Sequence, residues 1–189
     1  MPVLVVGPML MLSALGFAQL APSYPEVHLK DARAVEPALL RALLKDKEWK
    51  DGLTFDIRGR VTNLRLAKVS LSGAKNQEVV VSGEGYICGA ANCITWILQK
   101  KDGRYRRILD AGPIQRIFTM KRLTNRYRDI ETRTHDGASA ADVVIWRYSG
   151  NRYRPAKCYH DTYEYEDSRG ISRVFKRPIR KIGKCNLGT

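Results

Sequence analysis

The residues able to do chemistry in this sequence fall into three sets: histidines, cysteines and arginine–tyrosine triplets. His135 precedes Asp136 and His160 precedes Asp161, while His28 stands alone near the start. An imidazole with a carboxylate can act as a general base, but side chains adjacent along a strand point to opposite faces. The closest paired acids, Glu164 and Glu166, sit in the stretch 161–167, where alternation sets them opposite Tyr163 and Tyr165 as a solvated face. No HExxH, GxSxG or phosphate-loop motif occurs. A pair such as His135 with Glu131 stays open, but no catalytic residue is assigned.

Cys88, Cys93, Cys158 and Cys185 are even in number, as paired thiols in an oxidising compartment should be. Three pairings are possible. The simplest joins Cys88 to Cys93 across the small-residue loop Gly-Ala-Ala-Asn, and Cys158 to Cys185 across the last part of the chain. Zinc sites usually carry closely spaced cysteine pairs, and here only one pair is close. The spacing C-x4-C also lacks the C-x-x-C arrangement that activates a thiol. Structural disulfides are expected, with no metal and no cofactor.

The triplet Arg-Tyr-Arg occurs at 104–106, 126–128 and 152–154. Arginine neutralises phosphate and a tyrosine ring can stack on an unpaired base. Strand alternation favours another reading, with Tyr105 and Tyr153 as core residues and Arg104, Arg106, Arg152 and Arg154 as a solvated basic face. The tail 169–189 is also basic, with Arg173, Lys176, Arg177, Arg180 and Lys181 among its cations. Pro178 forbids a continuous helix there, so the tail reads as an extended ribbon that could lie along a sheet edge. Arg104, Arg106, Arg152 and Arg154, together with Arg173, Lys176, Arg177, Arg180 and Lys181 of the tail, form the hypothetical binding surface.

These residues need a scaffold. Val35, Leu39, Leu40, Leu43 and Leu44 fall on one helical face, predicting a single helix over 35–49 with Pro37 in its first turn. Beyond Asp51-Gly52 the period changes to two. Apolar runs at 53–57, 61–66, 79–81, 94–98, 116–119, 129–134 and 143–148 alternate with turns such as Asp102-Gly103 and Ser149-Gly-Asn151. The expected fold is mainly β (α+β), an N-terminal helix on an antiparallel meander. Ile97–Arg106 aligns without gaps on Ile145–Arg154, so the meander reads as two similar repeats, about 68–109 and 119–158. The first copy carries about three extra residues, expected in the Cys88–Cys93 loop. Two copies are too few for a closed propeller.

The run Asn125-Arg-Tyr-Arg-Asp-Ile130, a spacer, and Val144-Ile-Trp-Arg-Tyr-Ser-Gly-Asn-Arg-Tyr153 resembles the FG-GAP/VCBS type of β-repeat. It is also similar to small exported bacterial proteins that join such degenerate repeats to a cysteine loop. The resemblance covers about 68–158 and implies a fold and an exported setting, without an activity. Calcium-binding members carry an acidic loop before the first strand. Here 70–76 and 121–125 hold no carboxylate, so no calcium site is expected.

Residues 2–18 are uncharged and end in small residues, Gly16 and Ala18, as the apolar core and cleavage site of a signal peptide do. The segment 1–18 is therefore read as a signal peptide or N-terminal anchor, 19–34 as a linker, and 35–189 as one globular domain. The chain is expected in the periplasm or secreted, as a monomer with no membrane span beyond the leader. A net charge of +14 favours an anionic polymer or an acidic protein as partner. Export disfavours nucleic acid. The functional expectation is a non-catalytic exported binding protein that contacts an anionic envelope component or protein partner through a basic β surface. The alternative is a small secreted hydrolase acting on an anionic substrate, with His135 or His160 as base.

Overall fold

The computed structural model describes residues 25–32, 34–73, 78–89, 91–137, 139–162, 165–167, 172–174, 179–183 and 185. The leader lies outside them. After a short strand β1 (Lys30–Asp31) come two brief helices, α1 (Pro37–Leu43) and α2 (Lys47–Gly52). The expected single helix is thus divided. Asp46 divides it, because its carboxylate accepts the Glu48 amide at 3.1 Å and caps a new helix rather than continuing the old one. Pro37 opens α1, where its missing N–H costs nothing.

The remainder is β structure: β2 (Leu64–Val69), β3 (Glu78–Gly83), β4 (Cys93–Lys101), β5 (Arg104–Ile114), β6 (Arg116–Thr124), β7 (Tyr127–His135), β8 (Ala140–Ser149), β9 (Arg152–Thr162), β10 (Tyr165–Asp167), β11 (Ser172–Val174) and β12 (Ile179–Ile182). Strands β1 to β5 form one five-stranded antiparallel sheet in sequence order. A second runs β12-β9-β8-β7-β6, and β10 pairs with β11. The predicted run 53–57 makes only an isolated bridge, Phe55 to Val61. Gln115 alone separates β5 from β6, so one bent ribbon carries the chain between sheets. The chain on either side of β1 touches both: Val27 N before it donates to Ile117 O at 2.9 Å, and Ala32 N after it donates to Leu64 O at 2.9 Å.

The two long hairpins share one register. In the first, Lys101 faces Arg104, Lys100 faces Tyr105 and Gln99 faces Arg106; after a bulge, Ile97 faces Leu109. In the second, Ser149 faces Arg152, Tyr148 faces Tyr153 and Arg147 faces Arg154; after a bulge, Ile145 faces Lys157. Every one of these pairs recurs 48 residues on, and the bulge falls between Ile97 and Leu98 and again between Ile145 and Trp146. A bulge left at the same position in two hairpins is a specific feature rather than a generic accident of sheets. The inner strands match as well, since Val80 faces Ile97 as Glu131 faces Ile145.

Two cores follow from this register. Val79, Val81, Trp96 and Leu98 join Leu39, Leu43 and Trp49 of the helices, where Trp49 and Trp96 meet edge-on at 5.3 Å. Val80, Ile97 and Ile108 join Ile130, Trp146, Tyr148 and Tyr153 between the sheets. The helix-facing residues of the first sheet thus correspond in register to the residues of the second that face the first. The sheets are stacked the same way up. The first is buried on both faces, which is why β3 reads as an uninterrupted buried run rather than an alternating one. Gly52 and Gly83 pinch Ile87 between them, and a Cβ on either would lie 2.7 Å from its side chain.

Two disulfides close the described chain, Cys88 to Cys93 and Cys158 to Cys185. Both are the local pairing. No helix among the described residues is long and apolar enough to cross a membrane.

Candidate anion-binding end of the stacked sheets

Each Arg-Tyr-Arg triplet begins within or directly after a tight hairpin turn. Asp102 and Gly103 hold φ of 49° and 72°, as do Asn125 and Arg126 at 52° and 68°, and Gly150 at 66°. Two successive positive φ values give a turn whose twist matches that of the strands it joins. Asp, Asn and Gly adopt this conformation readily, but Arg126 does so at a cost of roughly 1–2 kcal/mol.

Contacts between turns show that all three lie at one end of the stack. Asn125 Nδ2 donates to the Tyr148 carbonyl at 2.8 Å, and Tyr153 Oη donates to the Arg128 carbonyl at 2.8 Å. The Arg106 guanidinium reaches across to Tyr148 Oη at 3.3 Å. Behind them the tyrosines form a cluster. Tyr127 and Tyr148 stack at 3.6 Å between ring centroids, and Tyr153 meets Tyr148 edge-on at 5.3 Å. Such ring pairs add about 0.5–1.5 kcal/mol each beyond their burial.

A polar relay anchors this end to the first sheet. Arg106 Nη2 donates to Gln99 Oε1 at 2.7 Å, and Gln99 Nε2 reaches Tyr127 Oη at 2.8 Å and Glu78 Oε1 at 3.1 Å. Ser72 Oγ also donates to Glu78 at 2.5 Å. Glu78 is fully buried, so these donors replace the water its carboxylate would otherwise need. Asp129 is likewise buried and holds Arg147 at 3.3 Å and Arg122 at 3.5 Å. Burial pushes the Tyr153 phenol up, and the Tyr148 phenol rises for the same reason although Arg106 pulls it down.

The predicted site residues divide between two ends and several faces. Tyr105 packs toward the helices and its hydroxyl donates to Glu36 at 2.9 Å. Arg106 therefore points toward the second sheet, and Arg104 shares that side by alternation. Tyr153 points between the sheets, so Arg152 and Arg154 occupy the opposite face of the second sheet. The four arginines therefore share no single face; what their hairpins share is the end of the stack at which they turn. Lys101, Lys121, Arg126 and Arg128 of the same hairpins are exposed as well. Among the described residues, none of these eight makes an ion pair with a carboxylate. Strand alternation in the sequence does not assign Arg126 and Arg128 to this surface; the Asn125 turn beside them is the signal that does.

The described tail lies elsewhere. Arg180 in β12 clamps buried Asp161 with two hydrogen bonds of 2.7 Å and covers the Tyr159 ring, so its charge is spent internally. Lys181 is exposed opposite His160, at the end of the sheets away from the triplets. Lys176, Arg177 and the Arg173 side chain lie outside the described residues. The tail strand does sit on the edge of the second sheet, beside β9.

The histidines are dispersed. His28 lines a cleft of about 310 Å³ with Glu26, Lys68, Ser70 and Arg128, at the seam where the segment before β1 crosses between sheets. The His135 backbone is held twice by the Asn92 side chain, at 2.8 and 3.0 Å, and Glu131 is instead paired with Arg133 at 2.7 Å. His160 Nδ1 lies 2.8 Å from Asp142 Oδ1 rather than on its neighbour Asp161.

No protein-family model, no curated protein and no solved structure matches this chain.

Proposed function

We propose that this chain is an exported, non-catalytic binding protein that grips an anionic polymer of the cell envelope through the basic end of its stacked sheets. The observation that carries this reading is the convergence of three Arg-Tyr-Arg turns, with eight exposed cations that no described carboxylate neutralises. Arginines on rigid turns form a fixed array, and a polyanion that meets them releases its own counterions. The two disulfides support an oxidising compartment, periplasmic or external. The recurring hairpin register supports kinship with FG-GAP/VCBS-type repeats, here as two stacked units.

The hydrolase alternative draws on the His160–Asp142 contact. Both side chains are substantially exposed, at 39% and 58%, so the pair is not enclosed in a water-excluded site.

The test uses inorganic polyphosphate as a probe across a salt series. Affinity should fall steeply as salt rises, and Arg104→Gln with Arg126→Gln and Arg152→Gln should weaken binding and flatten the slope by about three ions. A control at the other end, Lys181→Gln, should keep the wild-type slope. Unchanged binding in the triple variant would leave the charge with no role beyond solubility.

A further inference from the structure

We propose that Asp136, Asp142 and His160 form a binding site for a divalent transition-metal ion, with zinc as the type case, at the end of the stack opposite the basic turns. One ligand atom from each of the three residues lies within 4.8 Å of the others. Asp142 and His160 face each other across β8 and β9, with His160 Nδ1 at 2.8 Å from Asp142 Oδ1. Asp136 enters from the turn after β7, whose own backbone is closed by Asp136 N donating to Ala140 O at 3.0 Å.

The ligand chemistry selects the ion. One imidazole nitrogen with two carboxylates suits zinc and its neighbours, and three protein ligands leave further positions to water. Calcium is held by oxygen ligands, so the imidazole nitrogen of His160 selects against it. A second observation is electrostatic. In a chain of net charge +14, neither Asp136 nor Asp142 has a lysine or arginine within ion-pair distance among the described residues. The facing cation is Lys181, exposed on β12 opposite His160. The site is also held in place. Asn92 pins the His135 backbone beside Asp136, and the Cys158–Cys185 disulfide lies two residues before His160.

Calorimetric titration of the oxidised, full-length chain with zinc ions tests the proposal, with calcium as a second probe. The expected result is saturable binding of one zinc per chain, weakened ten- to a hundredfold by His160→Gln and likewise by Asp142→Asn. His135→Gln and Arg126→Gln should bind zinc as the wild type does. All four positions are at least partly exposed, so thermal melting without metal should show the variants folded. The proposal is overturned by three results: wild-type protein that takes up no zinc saturably, His160→Gln that binds it unchanged, or calcium bound as tightly as zinc.

Discussion

Tyr153 places its ring between the sheets and its hydroxyl on the Arg128 carbonyl, so two separable terms hold it. Tyr153→Ala should cost about 3–5 kcal/mol, while Tyr153→Phe should cost about 1 kcal/mol; chemical denaturation separates the two. Tyr105 occupies the same place in the other hairpin but leans on Glu36. Partial burial and that carboxylate push its phenol up to about 12 from 10.0. Tyr148 and Tyr153 are raised too. An unfolded chain therefore releases phenolic protons near pH 10 that the folded chain retains. Their stabilising effect is complete below that pH and falls as pH rises toward 12. Melting temperature should decline across this window, and Tyr105→Phe should flatten the decline. An identical decline in the variant would show that Tyr105 is not among its sources. At this scale the sequence was partly legible: strand alternation identifies Tyr153 as core, but it cannot say which core Tyr105 joins. That depends on what lies on each face of its sheet.

At the scale of elements, the hairpins were legible because turn chemistry is local. Asp102-Gly103 and Gly150-Asn151 mark the reversals, and the gap-free alignment of the two copies follows from a shared register. The helix was legible as an apolar stripe but not as two pieces, because Asp46 acts through a cap bond that periodicity does not register. The role of Gly83 was hidden as well, since its constraint is Ile87 in the next turn of chain. Gly83→Ala sets a Cβ 2.7 Å from the Ile87 Cβ and should destabilise the fold by about 1–3 kcal/mol. Ile87→Gly in the same background removes the crowded Cβ, so the double variant should lose less than the sum of the two single changes. If the two substitutions simply add, the pinch is not the cause. Cys158–Cys185 closes a loop of 27 residues, worth about 3.5 kcal/mol by chain entropy. Cys158→Ser with Cys185→Ser should lower stability accordingly, and mass spectrometry of the intact chain should show four hydrogens fewer than after reduction.

At the scale of the whole molecule, stacking the sheets the same way up has a functional consequence. Two sheets related by a two-fold axis would bury equivalent faces against each other and bring equivalent residues together. Here the tyrosines at matched positions go to different cores, and the arginines beside them go to different faces. Only the turns coincide. The basic surface is therefore an end of the stack, with the tyrosine cluster as its floor, and not a continuous sheet face that runs into the tail. Composition disclosed the excess of positive charge but not its location, because location is a product of tertiary stacking. The arrangement also separates two kinds of chemistry: among the described residues, cations that no carboxylate pairs lie at one end, and Asp136 and Asp142, which no lysine or arginine pairs, lie beside His160 at the other.

The most direct measurement is a map of backbone amide shifts in the isotopically labelled, oxidised chain as inorganic polyphosphate is added at low salt. Shifts should concentrate at 101–106, 121–128 and 149–154, leave 179–183 and 135–142 near their starting positions, and collapse together when salt is raised. Shifts spread evenly over every lysine and arginine, or centred on the tail strand, would contradict a binding end built from the three turns.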